Sequence, residues 1–250
     1  MTIYELYKKL NEQIPPSLSC EWDNDGLMCC PDGSREVVRA LVCLDVTQKT
    51  VNAAIDGKYD VIVSHHPFIF KGLKSLDEGD FIPKKAIALI KEGISVMSFH
   101  TRLDAVESGV NDSLCALLGI KNTQPFGDGI GRIGELCESA DLMDFAKKVK
   151  NTLGAPAVSV AGANKKVSKV AVLGGSGKDE IFSALSAGAD TFVSGELGHH
   201  ALTDAADLGI NLVEAGHFHT EDHICLELCK MIKSLGIDAD HFNSNNVTVI

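Results

Sequence analysis

The sequence predicts an α/β fold, with mostly parallel or mixed sheets covered by helices, and three observations carry that expectation. Short apolar runs rich in Val and Ile alternate with amphipathic stretches, the pattern of strands joined through helices. The chain has 250 residues, 45% hydrophobic and 23% charged, an ordinary globular composition with room for one large or two small domains. An internal repeat then divides it. Residues 39–64 lie on residues 169–194 without a gap at a constant offset of 130, both copies reading strand, turn, helix, strand.

Taken in chain order, amphipathic spacing predicts a helix over 3–13, and the apolar run at 37–44 a strand. A helix over 47–55, a strand at 61–64, a helix over 83–91, a strand at 94–99 and a helix over 110–118 complete the first half. Pro125 and the glycines between 127 and 134 mark the expected boundary, giving a first module over 1–126 and a second over 127–250. The second half repeats the alternation: helix 142–153, strand 167–173, helix 179–186, strand 191–194, helix 200–208, strand 210–213 and helix 222–235. A terminal strand is expected at 247–250. Identical pairs in the repeat are few (Val42 with Val172, Ala54 with Ala184, Asp60 with Asp190, Val63 with Val193, Ser64 with Ser194), but the hydrophobic pattern agrees throughout.

The 23 Lys and Arg face 34 Asp and Glu, a formal charge of -11, so the surface repels phosphate backbones and anionic lipid. General nucleic-acid binding is disfavoured. Eight dispersed cysteines in a chain of this length, with no basic-apolar leader before Ile3, point to a reduced, cytoplasmic protein rather than a secreted disulfide scaffold. No apolar run reaches the roughly 20 residues of a membrane helix, and no membrane partner is expected.

Chemistry concentrates at the carboxyl ends of the expected strands, where open α/β sheets bind ligands. The strand at 61–64 runs into His65, His66 and Pro67, and because the chain turns there both rings can face one crevice. His100 and Asp104 follow the strand at 94–99. With a shift further on in the repeat, 94–104 lies on 211–221, so that pair matches His217 and Glu221, with Gly216 allowing a sharp turn before them. Spacing of four puts each pair on one face of a helical turn. Any one of these elements also fits loop histidines or a capping pair. Together, His65, His66, Asp104, His217 and Glu221 supply three imidazoles and two carboxylates, a donor set for Zn, Fe, Mn, Co or Ni rather than Ca or Mg. A binuclear site held by five side chains keeps open positions for water, the condition for generating hydroxide near neutral pH. His100 and His219 are tied in sequence to these ligands and are the candidates for proton transfer.

The chain resembles the NIF-three-like dinuclear metal-centre proteins, many of them labelled GTP cyclohydrolase 1 type 2 homologues. The resemblance rests on Trp22-Asp23-Asn24-Asp25-Gly26-Leu27, Leu44-Asp45-Val46-Thr47, Ser64-His65-His66-Pro67, His100-Thr101-Arg102-Leu103-Asp104, Gly174-Gly175-Ser176-Gly177, Ser194-Gly195-Glu196 and Gly216-His217 through Glu221. It implies two similar, intertwined α/β modules with the metal site between them. It also implies two divalent transition-metal ions per chain on His65, His66, Asp104, His217 and Glu221, the last carboxylate able to bridge, and a ring-shaped homohexamer. The family label implies GTP or another nucleotide as small-molecule substrate, with metal-bound hydroxide as nucleophile. Arg102 stands where the family often has Asn, which touches no ligand.

Several features have two readings. Gly174 to Gly177 joins a strand to a helix and fits either a phosphate contact or a plain tight turn. Trp22, the only tryptophan, could stack on a base or pack under a turn. His199 and His200 could line the same crevice or cap a helix, and Cys225 and Cys229 read as buried free thiols rather than ligands. Two function classes remain open: a metal-dependent hydrolase, and a non-enzymatic metal-binding ring that assembles around a partner.

Overall fold

The computed structural model describes residues 1–250 and separates into two compact units, Met1–Leu103 with Ile224–Asn246, and Asp104–His223 with Val247–Ile250. Each is a sheet covered by helices.

In the first unit, α1 (Ile3–Gln13) leads to β1 (Gly26–Cys29), β2 (Arg39–Cys43), α2 (Gln48–Asp56), β3 (Val61–Ser64), α3 (Phe81–Glu92) and β4 (Ser95–Ser98); the chain passes to the second unit within the short helix α4 (Thr101–Ala105). It returns for α10 (His223–Ser234) and β11 (Asp238–His241). The strand order is β1-β4-β3-β2-β11, parallel except for the antiparallel edge strand β1. Because strand side chains alternate between faces, Leu41, Cys43, Ile62 and Val96 share one face, where Val51 and Ala54 of α2 and Ala86 and Leu89 of α3 bury them. Burying each of the Val, Leu and Ile side chains among them stabilises the fold by about 1.5–3 kcal/mol.

The second unit contains α5 (Val110–Leu118), β5 (Ile120–Phe126), β6 (Gly131–Ala140), α6 (Leu142–Leu153), β7 (Ser159–Ala161), β8 (Val167–Ser176), α7 (Ile181–Ser186), β9 (Thr191–Glu196), α8 (His199–Leu208), β10 (Asn211–Glu214) and α9 (His217–Glu221). Its strand order is β5-β6-β8-β9-β10-β7, with β8, β9 and β10 parallel and the others antiparallel to their neighbours. Both faces are covered. Val170, Val172, Val193 and Val213 pack with Leu114 of α5 and Phe145 and Val149 of α6, while Ala171, Leu173, Phe192 and Leu212 pack with Ile181 and Ala184 of α7 and Ala205 of α8.

The internal repeat holds down to register. Ala40 pairs with Val61 and Cys43 with Ser64 in the first unit, and the residues 130 further on pair identically, Val170 with Thr191 and Leu173 with Ser194. The Asp60 carboxylate accepts from the amides of Val38 and Arg39, and Asp190 accepts from those of Ser168 and Lys169. Even the basic side chain recurs: Arg39 donates to the Gly57 carbonyl, and Lys169 to that of Ala187. In the next strand the halves slip by one residue, since Val61 pairs with Ser95 but Thr191 with Asn211. Matching His100 to His217 therefore needs one extra residue after β10. Gly216, at φ +86°, lies in that stretch.

Asp60→Asn should destabilise the protein by about 1–3 kcal/mol, because Oδ2 serves two backbone amides while Oδ1 takes Arg35. An amide leaves one of those donors facing an NH2 group. Urea denaturation reads the loss, and an unshifted midpoint would show that the anchor contributes nothing.

Three expectations are corrected. The boundary expected between 126 and 127 falls inside the second unit. Gly127, Asp128 and Gly129, all at positive φ, form the turn of the β5–β6 hairpin, so the glycine density marks a tight reversal within one sheet. Residues 247–250 form no strand; the C-terminal strand is β11, which pairs with β2. Five strands lie where none was expected: β1, β5, β6, β7 and β11. No helix is long and apolar enough to cross a membrane.

Candidate metal centre

In the first unit β3 ends at Ser64, and the next two residues keep the ladder going, the His65 amide donating to Cys43 O and the His66 amide to Leu44 O. Both rings nevertheless come together, 5.0 Å apart between centroids and tilted by 39°. His100 joins them, so that donor atoms of His65, His66 and His100 all lie within 4.8 Å of one another. Each ring is anchored through Nδ1. His65 Nδ1 is 2.8 Å from the Phe99 carbonyl, which can only accept, so this ring is protonated at Nδ1 and basic at Nε2. His66 Nδ1 is 2.8 Å from Asp45 Oδ1 and His100 Nδ1 is 2.9 Å from Asp23 Oδ1.

The segment before β1 builds the support for His100. Asp23 also accepts from the Thr101 amide and hydroxyl. Burial pushes its carboxyl up, but the hydrogen bonds from His100 and Thr101 outweigh that and hold it down at about 2. Asp23 is therefore ionised across the working pH range. Asn24 donates to the Ile69 carbonyl, and Asp25 accepts from the His100 amide and from Arg102 Nε. Arg102 is 1% exposed and also donates to Asn11 and to the Ile14 carbonyl, with its guanidinium 4.5 Å from the Phe99 ring centre. It is a structural clasp. Trp22 does not pack beneath a turn; it is 63% exposed.

In the second unit, Gly216 turns the chain out of β10 into α9, whose four-residue spacing brings His217 Nε2 to 3.1 Å from Glu221 Oε2. The other ring nitrogen, Nδ1, lies 3.1 Å from Glu196 Oε1. Glu221 is only 4% exposed, and a carboxylate is tolerated at that burial only when paired or coordinating. The glycine-rich turn makes room for it. A Cβ on Gly174 would stand 2.9 Å from Glu221 Cγ, and one on Gly175, at φ +65°, would collide with the Glu221 carboxylate. The turn's amides are committed within the protein: Gly174 to Asn111, Gly175 to Thr220 and Gly177 to the Glu196 carbonyl. The segment is a tight turn that admits Glu221.

Asp104 is buried in α4. His219 is two positions beyond His217 on α9, a spacing that puts it on a different helix face from the His217 and Glu221 pair. His199 and His200 are exposed at the start of α8. No disulfide joins any of the eight cysteines, and burial pushes the Cys229 thiol up to about 11. A cavity of about 350 Å³ in the second unit is lined by His217, Glu196, Glu214, Ala157 and Val158.

Asp23, Asp45 and Glu196 orient three of the histidines, a role that reading the motifs one at a time does not reveal. The available signal was positional: Asp45 follows β2 and Glu196 ends β9, each at the carboxyl end of a strand beside a histidine-bearing one.

A sequence model of the Duf34/NIF3 (NGG1p interacting factor 3) family matches residues 1–248. The chain belongs to the DUF34/NIF3 family. A Clostridium perfringens relative named GTP cyclohydrolase 1 type 2 homolog is 29% identical over 248 residues, covering 96% of this chain and 94% of the relative. The Schizosaccharomyces pombe Protein NIF3 homolog is 33% identical, covering 93% and 91%. Among solved DUF34/NIF3-like structures, Staphylococcus aureus protein SA1388 superposes with a TM-score of 0.90 at 26% identity, covering 100% of this chain and 99% of that one. The fold of this DUF34/NIF3 member, including both sheets, is thus a shared one, and its His, Asp and Glu groupings have the chemistry to hold metal ions.

Proposed function

We propose that this protein is a metal-dependent hydrolase. In this reading His65 and His66 of the first unit and Asp104, His217 and Glu221 of the second hold two divalent transition-metal ions, and the substrate is a small molecule, GTP or another nucleotide. The observation that carries it is the uniform anchoring of the imidazoles through Nδ1: His65 on a carbonyl, and His66, His100 and His217 on carboxylates. This is how proteins orient ligating and proton-transferring histidines, since the partner fixes the tautomer and makes Nε2 the more basic nitrogen. Bound at such donors, divalent ions supply Lewis acidity and lower the pKa of water.

The chain's own residues supply the rest. His100 accepts a proton at Nε2, and the ionised Asp23 stabilises the imidazolium that results. Glu196 and Asp45 keep His217 and His66 in place. The cavity beside His217, at about 350 Å³, lies within the range of small-molecule sites. The relatives named for GTP cyclohydrolase support a nucleotide, and eight cysteines with no disulfide among them support a cytoplasmic setting.

The test is incubation of metal-loaded protein with GTP and a panel of phosphoesters, comparing wild type with His65→Ala. Turnover that disappears with the metal and in the variant is expected. Metal bound without turnover on any substrate would favour the non-enzymatic reading. The homohexamer belongs to the same proposal, and light scattering should give a mass well above the 26.7 kDa chain. A concentration-independent monomer would rule it out.

A further inference from the structure

Beside the three imidazoles of the first unit stand two aromatic rings that the chemistry above does not use. Trp22 is 63% exposed and Phe70 47%, in a protein that buries most of its large apolar side chains. Neither is loose. Asn24, two residues after Trp22, hydrogen bonds the carbonyl of Ile69, next to Phe70, so the two loops are tied together. Asp23, the residue after Trp22, grips His100 and Thr101.

The rings meet edge to face. Trp22 and Phe70 are 6.3 Å apart at 68°, Trp22 and His100 6.2 Å at 78°, and Phe70 and His100 6.4 Å at 89°. Three steeply inclined planes with similar separations make a corner. A flat ring can lie on one face there and present its edge to the other two, the arrangement that aromatic quadrupoles favour. An alkyl chain gains nothing from those angles, and the acidic chain gives no general attraction for a phosphate.

We propose that Trp22 and Phe70 form a receptor for a planar heteroaromatic ring of purine size, holding it against His100. The assignment rests on the site acting on a small molecule and specifies its class: the recognised part is the base, and the aromatic pair sets specificity. It also gives Trp22-Asp23-Asn24 a single purpose, since one residue offers the ring, the next fixes the histidine and the third locks the facing loop.

Because Trp22 is the only tryptophan, its fluorescence reports on this corner alone. The experiment titrates guanosine, and separately ribose 5-phosphate, into the full-length protein with and without bound metal. Saturable quenching by guanosine and none by the ringless sugar phosphate is expected. Phe70→Ala should weaken guanosine binding roughly ten-fold, the scale of one lost aromatic contact to a base. Trp22→Leu, followed by equilibrium dialysis, should lose at least as much while its thermal melt and metal content match wild type. Quenching absent in both metal states would overturn the proposal, as would guanosine affinity unchanged in Phe70→Ala. Emission already shielded and unresponsive would overturn it too, showing that another subunit covers the ring. Binding is read without turnover, so a protein that binds guanosine but hydrolyses nothing would retain this site and lose only the hydrolase reading.

Discussion

Glu221→Gln is expected to leave purified protein with less bound transition metal than wild type. A carboxylate can bridge two cations, whereas an amide offers one neutral oxygen, and Glu221 is buried beside His217 Nε2, where a substitute has little freedom to find another geometry. The loss of affinity should exceed the 10–100-fold typical of mutating a group that merely orients a ligand. Gly175→Ala should act in the same direction without touching any donor, because its methyl would occupy the space of the Glu221 carboxylate and its backbone sits at φ +65°. Elemental analysis of both variants decides the matter. Full metal content in a His65→Ala, Glu221→Gln double variant would remove these residues from the centre.

His100→Ala and His217→Ala should separate turnover from metal. The two histidines look alike, each with Nδ1 on a carboxylate and each four residues before an acid. They differ in company. His65 and His66 already supply two imidazoles to the first unit, while Gly195 and Glu196 occupy the equivalent positions of the second. His100 is therefore available as a base, and the Asp23 carboxylate, held at about 2, stays charged to stabilise it in the protonated form. His100→Ala should keep most of the metal and lose about 10²–10⁴-fold in turnover, the usual contribution of a general base. His217→Ala should lose both. An ion stripped by His100→Ala but retained by His217→Ala would mean the two roles are exchanged.

The parallel core of each half is legible in the sequence because those strands are buried along most of their length, which gives β2, β3, β4, β8, β9 and β10 apolar centres. The strands that escaped notice lie at or near the sheet edges, and two of them are largely polar. β5 exposes Lys121 through Pro125 between its buried ends, and β11 is Asp-Ala-Asp-His with only Ala239 buried. Conversely, Val247 and Val249 have strand-forming side chains yet remain exposed, since β-branching alone does not specify a strand. At the site, ligand types at strand ends are readable, and so is the glycine before His217. The orienting carboxylates are not, because Asp23 meets His100 across 77 residues and no local period records such a contact. For Trp22 the sequence leaves stacking and packing under a turn both open, and only three dimensions reveal that it stands at the surface against His100 and Phe70.

The strand β11 closes the first unit's sheet by pairing with β2, its Asp240 taking hydrogen bonds from Arg39 and Tyr59. About 200 residues separate these partners, so during synthesis the β2 edge waits for all of them to emerge before its last neighbour arrives. An amino-terminal fragment, however well it folds locally, carries an open parallel edge that invites pairing with other nascent chains. Ribosome stalling or proteolysis before residue 238 should therefore yield aggregates rather than a half-sized working domain, and the protein is vulnerable until β11 has emerged and paired.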